Sequence, residues 1–102
     1  MLKITYEREK SRVRLVGHAH YGETGHDLVC AAASMLTHTL AAFVRDIGGE
    51  GAEIRLLRGD SLISCRVDEP YRDSAIEIFD RICHGFELLE ESFPACVEFE
   101  II

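Results

Sequence analysis

The sequence predicts a single α+β domain over residues 1–102, in which an antiparallel or mixed sheet is covered by two helices in the order ββαββαβ. Five short segments alternate apolar and polar residues, as half-buried strands do. Two longer segments repeat apolar residues every three or four positions, as amphipathic helices do. Strands that follow one another as hairpins, with helices between the pairs, favour a sheet with the helices on one face.

The strands are predicted from their apolar positions, which alternate with polar neighbours. These positions are Leu2, Ile4 and Tyr6; Val13 and Leu15; Ile54 and Leu56; Ile63, Cys65 and Val67; and Val97, Phe99 and Ile101. The charged segment 7–11 is predicted to join the first two strands. Gly59-Asp60 is predicted as the tight turn of the second hairpin, because glycine accepts the backbone angles that such turns need.

The first helix is predicted from Asp27, a suitable N-cap, to about Ile47, with Arg45 in its last turn and Gly48-Gly49 as its stop. Its predicted inner stripe comprises Val29, Leu36, Leu40, Phe43, Val44 and Ile47. The helix carries few charges, and three alanines follow Cys30. We therefore expect it to be buried on most sides.

The second helix is predicted to begin near Pro70, because proline in the first turn loses no hydrogen bond. Its apolar face comprises Ile76, Phe79, Cys83, Phe86 and Leu89, and charged residues occupy the outer face. The two helices together can cover one face of a five-stranded sheet, and we expect some apolar surface to remain for self-association.

The composition limits the classes of partner. The net charge of −7 argues against direct binding to nucleic acid, because phosphate contacts need clustered Lys and Arg, and it favours a basic partner. The first ten residues are charged and do not resemble a signal peptide or a membrane anchor. We expect no apolar segment long enough to span a bilayer, and so no membrane partner.

The four cysteines are widely spaced and form no C-x-x-C pair. A cytoplasmic location, which we expect for this chain, would keep them reduced. Cys65, Cys83 and Cys96 lie on apolar faces of predicted elements, which indicates a packing role. Cys30 lies in a different setting, at a junction between a strand, a loop and a helix.

The segment from residue 17 to residue 34 brings Cys30 close in sequence to His18. With Asp27 as N-cap, Cys30 is the third helical residue, where the helix dipole and unpaired amides favour an anion. His18 lies at the end of the second strand, from which it can approach the helix start. A cysteine within reach of a histidine is the minimal activated nucleophile. The alternative is structural: Cys30 packs in the core and His18 is an exposed polar residue.

Three further features belong to this candidate site. Gly22 and Gly25 lie in the loop between histidine and cysteine, where they can keep the sulfur accessible and form a substrate loop. Asp27 is either only a helix cap or also the residue that orients His18 in a triad. Backbone amides at the helix start are predicted to form the oxyanion hole.

A metal site is the chemically distinct alternative. His18 and His20 would lie on one face of a strand, and His26 and Cys30 follow at the helix start. Three imidazoles and one thiolate are acceptable zinc ligands, but their spacing matches no common zinc motif. We therefore expect no metal and no cofactor.

Gly17-His18-Ala19, followed by the segment GHDLVCAAAS at residues 25–34, resembles the signature of the ribosomal-processing cysteine protease family, Prp. Leu28 and Ala33 are conservative departures from that signature, and His20 stands where the family has a small residue. The resemblance extends over essentially the whole chain and its predicted α+β order. It identifies Cys30 as the catalytic cysteine and His18 as its histidine.

The resemblance implies a specific endopeptidase that forms homodimers. The implied substrate is a basic precursor, the twenty-seventh protein of the bacterial large ribosomal subunit, from which an N-terminal extension is removed after an aromatic residue. The alternative outside the enzymes is a ribosome-associated binding or assembly factor with the same fold and no proteolytic activity.

Overall fold

The computed structural model describes residues 1–23, 25–47 and 49–102. Within these ranges the elements are, in order, β1 (Leu2–Glu7), β2 (Arg12–Gly17), α1 (Leu28–Ile47), β3 (Ala52–Leu57), β4 (Asp60–Cys65), α2 (Arg72–Ser92) and β5 (Val97–Ile101). Short 3₁₀ turns occupy Arg8–Lys10 and Gly49–Gly51. The predicted ββαββαβ order and the α+β class are confirmed. Gly48, predicted as a helix stop, lies outside the described residues.

The strands form one mixed sheet with the spatial order β3-β4-β2-β1-β5. All neighbours are antiparallel except β1 and β5, which run parallel. Val16 near the end of β2 pairs with Asp60 at the start of β4, and Gly17 pairs with Leu2. The end of β2 therefore lies beside the turn of the β3–β4 hairpin, which becomes important for the site.

The hydrophobic core lies between one face of the sheet and the two helices. Its buried residues come from the strands and from both helices: Leu2, Ile4, Tyr6, Val13, Leu15, Ile63, Cys65 and Val97 from the strands; Val29, Ala33, Leu40, Ala41 and Val44 from α1; and Phe79, Cys83, Phe86 and Leu89 from α2. The Tyr6 hydroxyl donates a hydrogen bond to Asp80 at 2.8 Å, and Arg8 donates to the same carboxylate. These bonds fix α2 on β1.

Helix α1 is less buried than the sequence suggested. Its inner side packs on the sheet and on α2, but Leu28 is 71% exposed and Met35 is 68% exposed. Ala31 and Ala32 are exposed between them. The expectation of burial on most sides is wrong, because α1 lies in the outer layer and alanines are compatible with either environment.

The expectation that no segment could span a membrane also needs correction. Helix α1 has 20 residues and meets the length and composition of a membrane span, with Arg45 and Asp46 as charged residues near its end. Uncharged polar residues within the helix hid this feature from a search for continuous apolar runs. In the structure its inner residues pack in the sheet core, and a core helix meets the same criteria.

Two predicted positions are displaced. Pro70 lies in a turn before α2, in which the Tyr71 amide donates to the Asp68 carbonyl at 3.1 Å, and the helix itself begins only at Arg72. The predicted start of α2 at Pro70 is therefore wrong. In the second hairpin Leu57 pairs with Asp60, so the two-residue turn is Arg58-Gly59 and not Gly59-Asp60.

Candidate active site

Cys30 is held in the first turn of α1 by Asp27. One carboxylate oxygen of Asp27 accepts hydrogen bonds from the amides of Val29 at 3.0 Å and of Cys30 at 2.9 Å. This is the arrangement of an N-cap, in which a side chain satisfies amides that have no partner within the helix. Cys30 is half-buried, so its thiol is fixed at the helix start without being sealed in the core.

His18 directly follows β2 and lies against the β3–β4 turn. The Gly17 amide donates to the Gly59 carbonyl at 2.9 Å, which ties the end of β2 to the turn. The imidazole itself is exposed to solvent, and Nε2 is the ring atom nearest to Gly59. The imidazole therefore lies beside the turn.

His18 and Cys30 line the same pocket, which has a volume of about 640 Å³. Asp27, the loop glycines Gly22 and Gly25, and the β3–β4 turn also contribute to its walls. Apolar side chains contribute a further part of the wall: Leu2, Leu15, Ala33, Leu56 and Leu57. Cys30 and His18 therefore face one cleft.

In the described part of the chain, no hydrogen bond joins the imidazole of His18 to the thiol of Cys30. The sulfur instead accepts a hydrogen bond from the Ala19 amide at 3.4 Å. Catalytic hydrogen bonds are often long before substrate binds and tighten only in the complex. Because Ala19 directly follows His18, the backbone that carries the imidazole already contacts the sulfur.

Among the described residues, the carboxylate of Asp27 accepts hydrogen bonds only from backbone amides. Besides Val29 and Cys30, it accepts hydrogen bonds from the amides of Tyr21 at 2.8 Å and Gly22 at 3.2 Å. Partial burial raises the pKa of Asp27, but the hydrogen bonds from Cys30, Gly22, Tyr21 and Val29 outweigh it and hold the pKa below its usual range. These contacts make Asp27 a helix cap and a loop anchor, and they do not orient His18.

The same hydrogen bonds engage the amides that were expected to form the oxyanion hole. The amides of Val29 and Cys30 are engaged by the Asp27 side chain, and the Ala31 amide donates to the Asp27 carbonyl at 3.0 Å. The prediction that amides at the helix start form the hole is therefore wrong for these three residues. The Ala19 amide lies outside the helix and donates its hydrogen bond to the sulfur itself.

The loop after His18 is anchored by contacts that the sequence did not reveal. The ring of Tyr21 packs edge-to-face on Phe93, with centroids 5.2 Å apart. Gly25 has a positive φ of 87°, which favours glycine. The only feature of the sequence that could have pointed to Tyr21 as a loop anchor was its aromatic ring in a glycine-bearing loop. Nothing in the sequence connected Tyr21 to Phe93. Thr24 lies outside the described residues.

The zinc alternative is not supported by the described residues, among which no group of three or more His, Cys, Asp or Glu side chains is placed to hold a metal ion. The rings of His18 and His20 do approach each other, with centroids 6.0 Å apart, because His20 adopts a left-handed backbone conformation with a φ of 54°. His26 and Cys30 do not complete a ligand set with them.

The remaining cysteines lie away from the pocket. Cys65 and Cys83 are buried, Cys96 is half-buried, and all are free thiols. The pKa of Cys83 is raised to about 12, mainly by burial of the thiol and to a smaller extent by the negative charge of the nearby Asp80 carboxylate. Burial also raises the pKa of Cys65. These two positions agree with the packing role predicted for them.

A family model described as cysteine protease Prp matches residues 1–98. The essential ribosomal processing protease Prp from S. aureus, solved in complex with a covalently linked product peptide, is 26% identical with a TM-score of 0.79, and the match covers 99% of this chain and 97% of that one. The same protease in complex with a substrate peptide gives 25% identity, a TM-score of 0.72 and coverage of 99% and 97%.

The SMU.848 protein from Streptococcus mutans is also similar, with 26% identity, a TM-score of 0.75 and coverage of 100% of this chain and 94% of that one. A search of curated protein sequences gave no significant match. The family model matches nearly the whole chain and describes a protease, so the non-catalytic alternative is not supported and the protein is a cysteine protease. The chain belongs to the cysteine protease Prp family.

Proposed function

We propose that this protease removes the N-terminal extension of a bacterial ribosomal protein, the twenty-seventh of the large subunit, by cleaving after an aromatic residue. The similar S. aureus enzyme is an essential ribosomal processing protease that has been solved with substrate and product peptides. The observation that carries the proposal is the pocket of about 640 Å³ that both Cys30 and His18 line.

In the proposed reaction, His18 removes the thiol proton of Cys30, and the thiolate attacks the carbonyl carbon of the scissile peptide bond. His18 then gives this proton to the leaving amine, so that the carbon–nitrogen bond breaks and a thioester with Cys30 remains. Water deprotonated by His18 hydrolyses the thioester. The peptide acid leaves, and the proton returns to the thiol.

The negative oxygen that forms during attack needs hydrogen-bond donors near the sulfur. The Ala19 amide lies 3.4 Å from Sγ and is the donor we assign to this role. It follows His18 directly, so one short segment supplies both the base and the donor. Helix α1 adds its N-terminal dipole, which favours negative charge at the same place.

The apolar part of the pocket wall supports cleavage after an aromatic residue. Leucines from β1, β2 and β3 contribute to it: Leu2, Leu15, Leu56 and Leu57. Apolar walls with a few polar groups are typical of sites that bury a large hydrophobic side chain. The net charge of −7 would additionally attract a basic ribosomal precursor.

The exposed face of α1 supports the homodimer that we propose. One stripe of this exposed surface carries only uncharged side chains: Leu28, Ala31, Ala32, Met35, Thr39 and Ala42. A large exposed apolar patch marks an interaction surface, and small residues allow a second helix to approach closely. Replacing Met35 by Lys would place charge in this face. We expect that variant to be monomeric in light scattering at concentrations where the parent is a dimer.

A cytoplasmic location follows from the proposed substrate and from the chemistry of the nucleophile. Ribosomal precursors are made in the cytoplasm, where free thiols such as that of Cys30 stay reduced. We propose no direct contact with nucleic acid, in keeping with the acidic net charge.

The decisive experiment is to incubate the protein with the ribosomal precursor and to measure the intact masses of the products. We expect one new species that lacks the extension. Two controls are required: the Cys30→Ser variant, and a precursor in which the aromatic residue before the cleavage site is alanine. An unchanged precursor mass with the parent enzyme would contradict the proposed substrate, and equal cleavage of the alanine precursor would contradict the proposed specificity.

A further inference from the structure

The turn of the β3–β4 hairpin lies directly beside the strand end that carries His18. Val16 pairs with Asp60, and the Gly17 amide donates to the Gly59 carbonyl at 2.9 Å. The chain at residues 17–19 therefore meets the turn through Gly17 and the nucleophile through Ala19. His18 lies between these two contacts, so its backbone is fixed on both sides.

Gly59 leaves the space that the imidazole of His18 needs. A Cβ built at Gly59 would lie 2.9 Å from Nε2 of His18, closer than real Cβ atoms approach a neighbour, and a tight 3.3 Å from Cε1. Gly59 also has a φ of 77°, in the left-handed region. The imidazole is the outer end of a flexible side chain. A side chain at position 59 would thus be accommodated most easily by displacement of the imidazole.

We propose that Gly59 is a positioning residue for the catalytic base, an inference that rests on the proposed roles of His18 and Cys30. The bare backbone of the turn allows the imidazole to lie against it, and the same backbone blocks rotation of the imidazole further toward the hairpin. The imidazole is thereby kept at the mouth of the pocket that it shares with Cys30. Gly59 itself contacts neither the thiol nor the reacting carbonyl in this mechanism.

The test uses two variants that differ in backbone strain and share the added Cβ. Gly59→Ala adds the Cβ and strains the left-handed turn, whereas Gly59→Asn adds the Cβ in a residue that tolerates this conformation. Both variants should keep the circular dichroism spectrum of the parent. Both should lose about 100-fold in kcat with little change in KM, because a displacement of about 1 Å in a catalytic group can have that effect.

A double-mutant cycle shows whether the effect passes through the base. The alkylation rate of Cys30 by iodoacetamide is measured for the parent, Gly59→Ala, His18→Ala and the double variant. Gly59→Ala should slow alkylation in the parent and change nothing further when His18 is already alanine. Ile54→Val, which weakens packing in β3 away from the pocket, serves as the stability control and should alkylate at the parent rate.

Three results would overturn the proposal: equal slowing by Gly59→Ala in both backgrounds, parent-like kcat in Gly59→Asn, or loss of folding in both Gly59 variants. The last two would show a role limited to the turn itself. Alkylation needs no ribosomal substrate. If the protein fails to cleave the precursor but Gly59→Ala still slows alkylation only when His18 is present, the proposed substrate is wrong and the proposed role of Gly59 stands.

Discussion

The carboxylate of Asp27 accepts a hydrogen bond from the Cys30 amide at 2.9 Å, and its second oxygen accepts one from the Tyr21 amide at 2.8 Å. One side chain therefore joins the helix start that holds the nucleophile to the loop beside the pocket. This relationship gives Asp27 a role in the site without direct contact to His18. It also separates two functions, capping and loop anchoring, that variants can distinguish.

Asp27→Ala should destabilise the fold and reduce activity, because it removes the helix cap and both loop contacts. Loss of an N-cap costs about 0.5–2 kcal/mol. Asp27→Asn should restore most of the stability, because asparagine also caps helices. It should restore less of the activity, because its NH₂ group cannot accept hydrogen bonds from the Tyr21 and Gly22 amides. Chemical denaturation and kcat/KM would measure the two effects. Parent activity in Asp27→Ala would contradict the anchoring role.

The same carboxylate predicts a dependence of stability on pH. Because hydrogen bonds hold the pKa of Asp27 below its usual range, its contribution is fully present above the ordinary carboxyl value of about 4 and is lost as the pH falls through the lower folded value. The stability difference between the parent and Asp27→Asn should therefore shrink as the pH falls from about 4 through the lowered pKa of Asp27. A constant difference across this range, in thermal melts, would show that the ionised carboxylate contributes nothing.

Cys30→Ser and His18→Ala should abolish peptide cleavage and leave the fold intact. Serine keeps the shape of cysteine, but its hydroxyl is much less acidic and a weaker nucleophile beside the same base. His18 is exposed, so its removal should cost little stability. Single-turnover cleavage and circular dichroism provide the measurements. Cleavage by Cys30→Ser at close to the parent rate would contradict the thiolate mechanism.

Cys65 and Cys83 should be replaceable with activity retained, because both are buried away from the pocket. Cys83→Ala should cost about 0.5–3 kcal/mol, as is typical of core substitutions. With its pKa raised to about 12, the Cys83 thiol should also stay unmodified while Cys30 is alkylated near neutral pH, as peptide mass mapping would show. Loss of turnover in a folded Cys83→Ala protein would mean that the assigned site is incomplete.

The sequence was sufficient for features that depend on neighbours along the chain. The alternation of strands, the apolar repeat of α2 and the N-cap at Asp27 are all local, and all agree with the structure. The exposed face of α1 was missed because composition alone does not show which side of a helix a sheet covers. Pro70 was misplaced for a related reason, since a proline suits a turn before a helix as well as its first turn.

In the candidate site, Cys30 and His18 could be proposed as a pair because they lie twelve residues apart on adjoining elements. The approach of Gly59 to His18 and of Phe93 to Tyr21 was not predicted, because each brings together residues that are far apart in the sequence. That the helix-start amides already have hydrogen-bond partners was missed for a different reason. The Asp27 side chain that makes the helix start recognisable also occupies the amides that the prediction needed.

The last prediction concerns the loop that follows His18. In the free protein it is held by the Asp27 carboxylate at Tyr21 and Gly22 and by the contact between Tyr21 and Phe93. We predict that these contacts open transiently and that the segment closes over a bound peptide, excluding water from Cys30. Hydrogen exchange of Cys30→Ser, with and without a substrate-derived peptide, should then show slower exchange at residues 19–23 in the complex.

The matched comparison for this experiment is Tyr21→Ala, which removes the aromatic contact and leaves the backbone amides in place. It should exchange faster than the parent at residues 19–23 when free, and peptide binding should slow that exchange by a larger factor. Its KM should rise more than its kcat falls, because part of the binding energy is then spent on ordering the loop. Equal protection in the free and bound states, in both proteins, would show instead that the segment is a fixed connection between β2 and α1.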